Sequence, residues 1–470
     1  MRRTASPSNA QAAKFEQVAA KVAAMVSPTA GEAAAEKAFA KKIVQRLSKM
    51  LPQAKVTFIG SAARDTGLAG SRDIDIFAAF PKGSEEEIVA RTFAAARACR
   101  KGVKWEKHYA EHPYLQARIG GFQVEVIPCF AIKQNQRIIS AVDRSPLHMV
   151  YLERNLTLAQ RRDVRVLKQL LKSAGIYGAE AKIGGFSGYV CELLVLNYRS
   201  LFESLQAASA WRLPAVVDIE GSYYQDDKTA LAKFPGAQLV VVDVTDKERN
   251  AAAAVSPDCL ASFMTLARAA ISNPSAGLFF HREKVPADQA IISALSKRGT
   301  HIVLVKAKAP RVVDDIFYPQ LAKTRESLLA YLKRRGQSVI DSAHFADGKS
   351  AYLLFEFAYP AAPPVEVCNG PPAIDGLAVA GFVSSRSKNA IRGPFIREGR
   401  LVVEVSRDLP AQKAVFEYLR CCKNLGAASH FQKPLKRAKV AVGPKKAVAA
   451  VSPAAKSGLA GYAFKSAHWL

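Results

Sequence analysis

Residues 60–77, GSAARDTGLAGSRDIDIF, join a Gly-Ser pair and an arginine to two aspartates one residue apart in an otherwise apolar run. Side chains alternate across a strand, so Asp73 and Asp75 project from one face while Ile74 and Ile76 point into a core. Two neighbouring carboxylates repel unless a cation sits between them. An all-oxygen donor pair suits Mg²⁺, which takes one or two protein carboxylates and completes its shell with phosphate and water. Gly60 lets the backbone approach a ligand closely, and Ser61 offers a hydroxyl beside exposed N–H groups, as a triphosphate requires. Arg64 adds a fixed donor array for phosphate. A D-x-D pair alone also fits a solvated sheet face; its coupling to Gly60-Ser61 in so basic a chain favours a phosphoryl-transfer site. A two-metal site needs a third carboxylate from a neighbouring strand, and Glu125 in FQVEVIPCF supplies it, with Val124 and Val126 facing the core.

Outward from this motif the pattern alternates. A capped helix over residues 31–51 and the strand VTFIG precede it; a helix over 85–100 and the strand-like runs YLQARI and FQVEVIPCF follow. This predicts a mixed α/β domain over residues 1–150, with an amphipathic helix carrying Phe15, Val18, Val22 and Val26 at its start. Residues 151–272 read as mostly helical, with TLAQRRDVRVLKQLLKSAG and FSGYVCELLVLNYRSLFESL as long helical patterns and AQLVVVDV as a strand. HIVLVKA, a helix over 324–335 and YLLFEFAY predict a small α/β unit over about 273–385, followed by a tail domain over 386–430. No acid occurs beyond Glu417, while lysines continue to Lys465, which predicts a disordered basic extension over 431–470.

Composition bounds the partners. Lys and Arg number 67 against 40 acids, a formal charge of +27 over 470 residues, so the outer field attracts polyanions and nucleic acid is the first partner to consider. Seven scattered cysteines without a C-x-x-C pair argue against a zinc site or a disulfide framework and fit a reducing, cytoplasmic setting. No stretch approaches the roughly 18 apolar residues of a membrane span, so no membrane partner is expected.

The motifs together resemble the archaeal-type, class I CCA-adding enzymes, tRNA nucleotidyltransferases of the polymerase-β superfamily. GSAARDTGLAGSRDIDIFAAF, HYAEHPYLQARIGGFQVEVIPCF, SAVDRSPLHMVYL, RVLKQLLKSAGIYGAE and GGFSGYVCELLVL follow in family order over about residues 35–270, and DVTDKERNAAAAVS and RGPFIREGRLVVEVSRDL extend the likeness to about 425. The resemblance implies an α+β multidomain protein: a polymerase-β-like nucleotidyltransferase head with a mixed sheet, a mostly helical neck, a small ferredoxin- or RRM-like α/β body and a tail. It implies addition of C, C and A to tRNA 3′ ends from CTP and ATP without a nucleic-acid template. Carried over by position, Asp73, Asp75 and Glu125 would bind two Mg²⁺ ions, while Gly60, Ser61 and Arg64 would hold the nucleotide at its triphosphate end. His148, Lys168 and Tyr177 would complete the phosphate and ribose contacts, and Arg249 would face the incoming base.

Lys168 lies on an amphipathic helix whose stripe is Val164, Leu167 and Leu171, and is expected to reach across a cleft. The third carboxylate is commonly Asp in this family and is Glu125 here, and the first acid is Asp73 where many relatives carry Glu. The tRNA acceptor stem and T arm would be read by shape, with Arg386, Lys388, Arg392, Arg397 and Arg400 offering a run of cations. A homodimer is compatible with the sequence, which fixes no oligomeric state. The competing readings are a poly(A)-adding enzyme of the same superfamily and an RNA-binding relative without activity.

Overall fold

The computed structural model describes residues 9–470 apart from 101, 110–111, 133–137, 224–225 and 282–283. The chain forms two compact units, one made of residues up to 282 together with 467–470, the other of residues 283–466.

In the first unit, helices α1 (Asn9–Val26) and α2 (Ala30–Met50) lead into β1 (Lys55–Ile59), the short turn α3 (Gly60–Ala63), β2 (Asp73–Phe80), α4 (Glu85–Cys99), β3 (Glu106–Tyr109), β4 (Pro113–Ile119) and β5 (Phe122–Phe130). Thr29 starts α2 with a reciprocal cap: its hydroxyl accepts from the Glu32 backbone N–H while the Glu32 carboxylate accepts from the Thr29 N–H. The strands order as β1-β2-β5-β4-β3, with β2 and β5 parallel and the other pairs antiparallel, which is the mixed sheet expected. Ile74, Ile76, Val124 and Val126 are wholly buried on one face, against α2 and α4.

The helices α5 (Arg144–Asn155), α6 (Leu158–Ser173), α7 (Gly188–Tyr198) and α8 (Leu201–Ala210) follow, then β6 (Ala215–Val217), α9 (Asp227–Lys233), β7 (Leu239–Asp243), β8 (Asp246–Asn250) and α10 (Pro257–Ser272). The helical run read as one over 186–205 is broken at Arg199, whose φ of 72° stops α7, and Ser200 caps α8 through the Glu203 N–H. The boundary at 150 needs correction at its start. Phe15, Val22 and Val26 of α1 are buried with α6, α8 and α10, not with the sheet that follows them in sequence. An amphipathic stripe specifies that a helix is covered and leaves open by what.

The second unit holds α11 (Asp288–Lys297), β9 (His301–Lys308), α12 (Asp314–Arg334), β10 (Val339–Ala346), β11 (Ser350–Phe357), β12 (Val365–Pro372), α13 (Gly376–Arg386), β13 (Ala390–Arg397), β14 (Arg400–Ser406), α14 (Ala411–Cys421), α15 (Gln432–Lys436), β15 (Lys439–Val442), α16 (Pro444–Ala450) and α17 (Lys456–Ala463). The antiparallel order β10-β11-β9-β15, with α12 after β9 and α14 before β15, is the ferredoxin-like β-α-β-β-α-β pattern. The three-stranded sheet β12-β14-β13 and α13 are inserted between β11 and α14. The predicted boundary at 385 therefore falls inside the insertion, because β12 pairs with β14.

Disorder past residue 430 is overturned. β15 completes the four-stranded sheet, and Ala447, Val448, Val451 and Leu459 bury against Ile302, Leu304, Tyr352 and Leu354. Small apolar residues at helical spacing outweigh the lack of acids there. Leu459→Ala is accordingly expected to lower the stability of the second unit by about 2–5 kcal/mol. Chemical denaturation would check this, and a solvated extension would show no change.

Candidate active site

β1 ends at Ile59, and Gly60 turns the chain with φ +90°. A Cβ there would fall 2.2 Å from Asp75 Oδ2, so only glycine lets α3 close over the carboxylate. Parallel pairing of β2 with β5 sets Asp75 directly opposite Glu125 and Asp73 opposite Gln123. Ser71 donates to Asp73 Oδ2 at 2.9 Å, and Gln116 Nε2, from β4, donates to Glu125 Oε1 at 2.7 Å. Burial, then the neighbouring charges of Glu125 and Asp73, push the Asp75 carboxyl up to about 7. Burial also raises Glu125, against the hydrogen bond from Gln116. Like charges crowd here, offset in part by Arg64.

A cleft of about 380 Å³ opens over Asp75 and Glu125, lined also by Gly60, Arg64, His112, Tyr114, His148 and Tyr189. Ser61 lines a smaller cavity of about 230 Å³ with Ser71, Asp65 and Arg165. His148 is brought to the cleft by Asp143, whose buried carboxylate accepts from the backbone N–H groups of Phe130 and Ser140 and so ties the end of β5 to the start of α5.

The remaining predicted residues fall into two groups, each built on a carboxylate that sequence reasoning did not select. In the first, Arg64 makes a two-pronged contact with the fully buried Glu192 of α7, Nε to Oε1 at 3.1 Å and Nη2 to Oε2 at 2.9 Å. The Thr66 hydroxyl donates to the same Oε1 at 2.5 Å, and Lys168 Nζ donates to the Thr66 carbonyl at 2.9 Å. Lys168 is 2% exposed and turned inward, which corrects the expectation that it reaches across a cleft. Burial pushes its ammonium down. Burial opposes the charge on Glu192 as well, but Arg64, then Lys168 and the Thr66 hydroxyl, hold that carboxyl below the ordinary range. Tyr177 meets Lys168 over Gly188, where a Cβ would lie 3.1 Å from the Tyr177 hydroxyl and 3.3 Å from Lys168 Nζ.

In the second group, Asp243 at the end of β7 accepts from His148 Nε2 at 2.9 Å, from Arg249 Nη1 at 2.7 Å and from the Tyr189 hydroxyl at 3.2 Å. The His148 and Tyr189 rings stack at 4.0 Å. Burial lowers His148 against the pull of Asp243, while the bonds from His148, the Thr245 N–H and Arg249 hold Asp243 below the usual carboxylate range despite its burial. Asn250 pins Arg249's strand, its side chain accepting from Val241 N and donating to the Leu239 carbonyl. A lone Glu inside the apolar run YVCELLVL, and an Asp closing the apolar strand LVVVD, were the available signals for Glu192 and Asp243.

Three family models match consecutive parts of the chain: a nucleotidyltransferase domain over residues 40–148, the second domain of tRNA nucleotidyltransferase over 162–280, and the C-terminal domain of CCA-adding enzyme over 298–443. The CCA-adding enzyme of Haloarcula marismortui is 36% identical across 84% of this chain and 87% of its own. The chain belongs to the CCA-adding enzyme family. The CCA-adding enzymes of Methanoregula boonei and Archaeoglobus fulgidus are 37% and 35% identical, covering 74% and 82% of this chain and 75% and 85% of theirs. Among solved structures, Cid1 poly(U) polymerase aligns at 16% identity over 57% of this chain and 99% of its own, with a TM-score of 0.46.

A CCA-adding enzyme is a tRNA nucleotidyltransferase, and the nucleotidyltransferase family implies use of a divalent cation. The donor set fits one: three carboxylates from adjacent strands, one of them raised to about 7 by burial and then by its like-charged neighbours. Among the described residues no three His, Cys, Asp or Glu side chains are gathered as a finished metal site. In this CCA-adding enzyme Asp73 and Glu125 are turned to Ser71 and Gln116. Among the described residues no helix is long and apolar enough to cross a membrane.

Proposed function

We propose that the protein adds C, C and A in turn to the 3′ end of tRNA, from CTP and ATP and without a nucleic-acid template, releasing pyrophosphate at each step. The observation that carries this reading is the Asp75–Glu125 pair, set opposite each other in a cleft where Gly60 lets the α3 turn close over Asp75, in a chain that matches the family over most of its length. Asp73, Asp75 and Glu125 are the residues that would hold Mg²⁺, which supplies a more acidic 3′-hydroxyl and charge neutralisation at the leaving pyrophosphate.

Ser61 and Arg64 act at the triphosphate end. Lys168, enclosed as it is, supports that end through Thr66 and Glu192, and half-buried Tyr177 stands beside it. His148 serves the sugar side and Arg249 the base. Residues 40–148 form the head, α1 joins the neck, and the ferredoxin-like body and its inserted sheet take the acceptor stem and T arm. Within that insertion Arg392 and Arg397 pair with Glu404 and flank Phe395, a charged surface suited to phosphates and 2′-hydroxyls. All seven cysteines are free thiols, which supports a reducing, cytoplasmic setting.

The test is extension of a tRNA transcript lacking its last three nucleotides, resolved at single-nucleotide length. Growth by three nucleotides with CTP and ATP, and by two with CTP alone, is expected. A homopolymer ladder would instead place the chain with the poly(A)-adding enzymes, and tight tRNA binding without extension would make it an inactive relative.

A further inference from the structure

The carboxylate of Asp243 has no exposed surface and accepts hydrogen bonds from four residues on three elements and a turn. His148 comes from α5 and Tyr189 from α7; Arg249 comes from β8, and Thr245, from the β7–β8 turn, gives both its N–H and its hydroxyl at 2.9 Å. A second brace runs beside it, Arg144 Nε on α5 to Asp246 Oδ2 on β8 at 2.9 Å. His148 and Tyr189 line the cleft over Asp75 and Glu125, whereas Asp243 is shut behind them.

We infer that Asp243 is a specificity-determining positioning residue: by holding Nη1 of the Arg249 guanidinium beside the His148–Tyr189 stack, it decides which bases are accepted. The inference rests on the reading that Arg249 faces the incoming base. Cytosine and adenine share one feature on their pairing edge, an acceptor ring nitrogen beside an amino group. Uracil and guanine present a ring N–H at the matching place, with carbonyl oxygens beside it. An arginine N–H held opposite the ring nitrogen is satisfied by C or A, and against U or G it meets another donor, leaving both unpaired. That rejection works only while the guanidinium cannot slide toward the neighbouring carbonyl. Asp243 restricts that freedom, since an Arg side chain has ample rotamer entropy when untethered and its planar fork, once held at Nη1, leaves fewer directions to the remaining donors.

The experiment compares kcat/KM for CTP with that for UTP, and for ATP with GTP, on tRNA transcripts primed for each step, in wild type, Asp243→Asn, Thr245→Ala and Arg249→Ala. Asp243→Asn removes the charge and turns one acceptor into a donor. The expected result is a fall in the C-over-U and A-over-G ratios of about tenfold or more, larger than any loss shared by all four nucleotides. A uniform loss with unchanged ratios would overturn the inference and leave Asp243 as a support of the fold. Should Asp243→Asn not fold, as judged by circular dichroism, Thr245→Ala decides. It removes one hydroxyl donor to Asp243, and a several-fold drop in the ratios supports the inference while unchanged ratios overturn it. Arg249→Ala separates the two layers. Full discrimination in that variant overturns the base-facing reading itself, whereas lost discrimination there beside intact discrimination in a folded Asp243→Asn overturns the role of Asp243 alone.

Discussion

Asp75→Asn is expected to reduce nucleotide addition by about a thousandfold or more while leaving tRNA binding in place, because it removes the central member of the carboxylate row and no other residue replaces its charge. The same substitution has a second, opposite effect on stability. The folded-state pKa of Asp75, about 7, lies above the ordinary carboxylate value near 3.9, so between those values the folded chain holds a proton that the unfolded chain has released. Without a divalent cation this group therefore makes the fold progressively less stable as pH rises from about 4 to 7, by a few kcal/mol in order of magnitude, and the penalty persists above pH 7. A bound cation relieves it. Thermal unfolding should show Mg²⁺ raising the melting temperature at pH 8 and hardly at pH 5. Asp75→Asn should be more stable than the natural chain at pH 8 without Mg²⁺, and should have lost most of the response to it. An equal Mg²⁺ effect at both pH values would remove Asp75 from the metal site.

Glu192→Ala should be the most destabilising single change among the site residues, at about 3–5 kcal/mol. Glu192 is fully buried and is the shared counter-charge of Arg64 and Lys168, which are themselves 9% and 2% exposed. Removing it takes away the carboxylate both cations share and leaves Lys168 on the Thr66 oxygens and Arg64 beside the Met149 sulfur. Glu192→Gln keeps the shape and one acceptor, and should fall between the two. Denaturant unfolding of the first unit would measure both, and a loss under 1 kcal/mol for the alanine variant would show that the cations reach water by another route.

The carboxylate row was legible because it depends on one local rule. Period-two alternation fixes which way Asp73, Asp75 and Glu125 face, and the parallel neighbour brings the third alongside. The ferredoxin-like order of the second sheet was implied by family likeness, and the inserted sheet blurred its boundary because β12 precedes and β14 follows the 385 mark. Lys168 shows a signal that was present and misread. It lies four residues after Val164 and three before Leu171, on the same stripe, so helical spacing alone turns it inward. Glu192 and Asp243 were visible as carboxylates in apolar surroundings. Their partners stand 128 residues away for Arg64 and 95 for His148, and no local pattern reports such pairings.

The place of α1 also matters for how the protein is made. This helix is synthesised before every element that covers it: Phe15 waits for Phe202, whose ring lies 5.4 Å away, and Val22 and Val26 wait for α6 and α10, the latter ending at Ser272. At ribosomal rates of about 5–20 residues per second, the apolar stripe stays incompletely covered for roughly ten to fifty seconds. The five-stranded sheet needs only residues up to 130 for its own core and can close during that interval. The lobe carrying the carboxylates can thus be completed before the apolar stripe of α1 is fully covered.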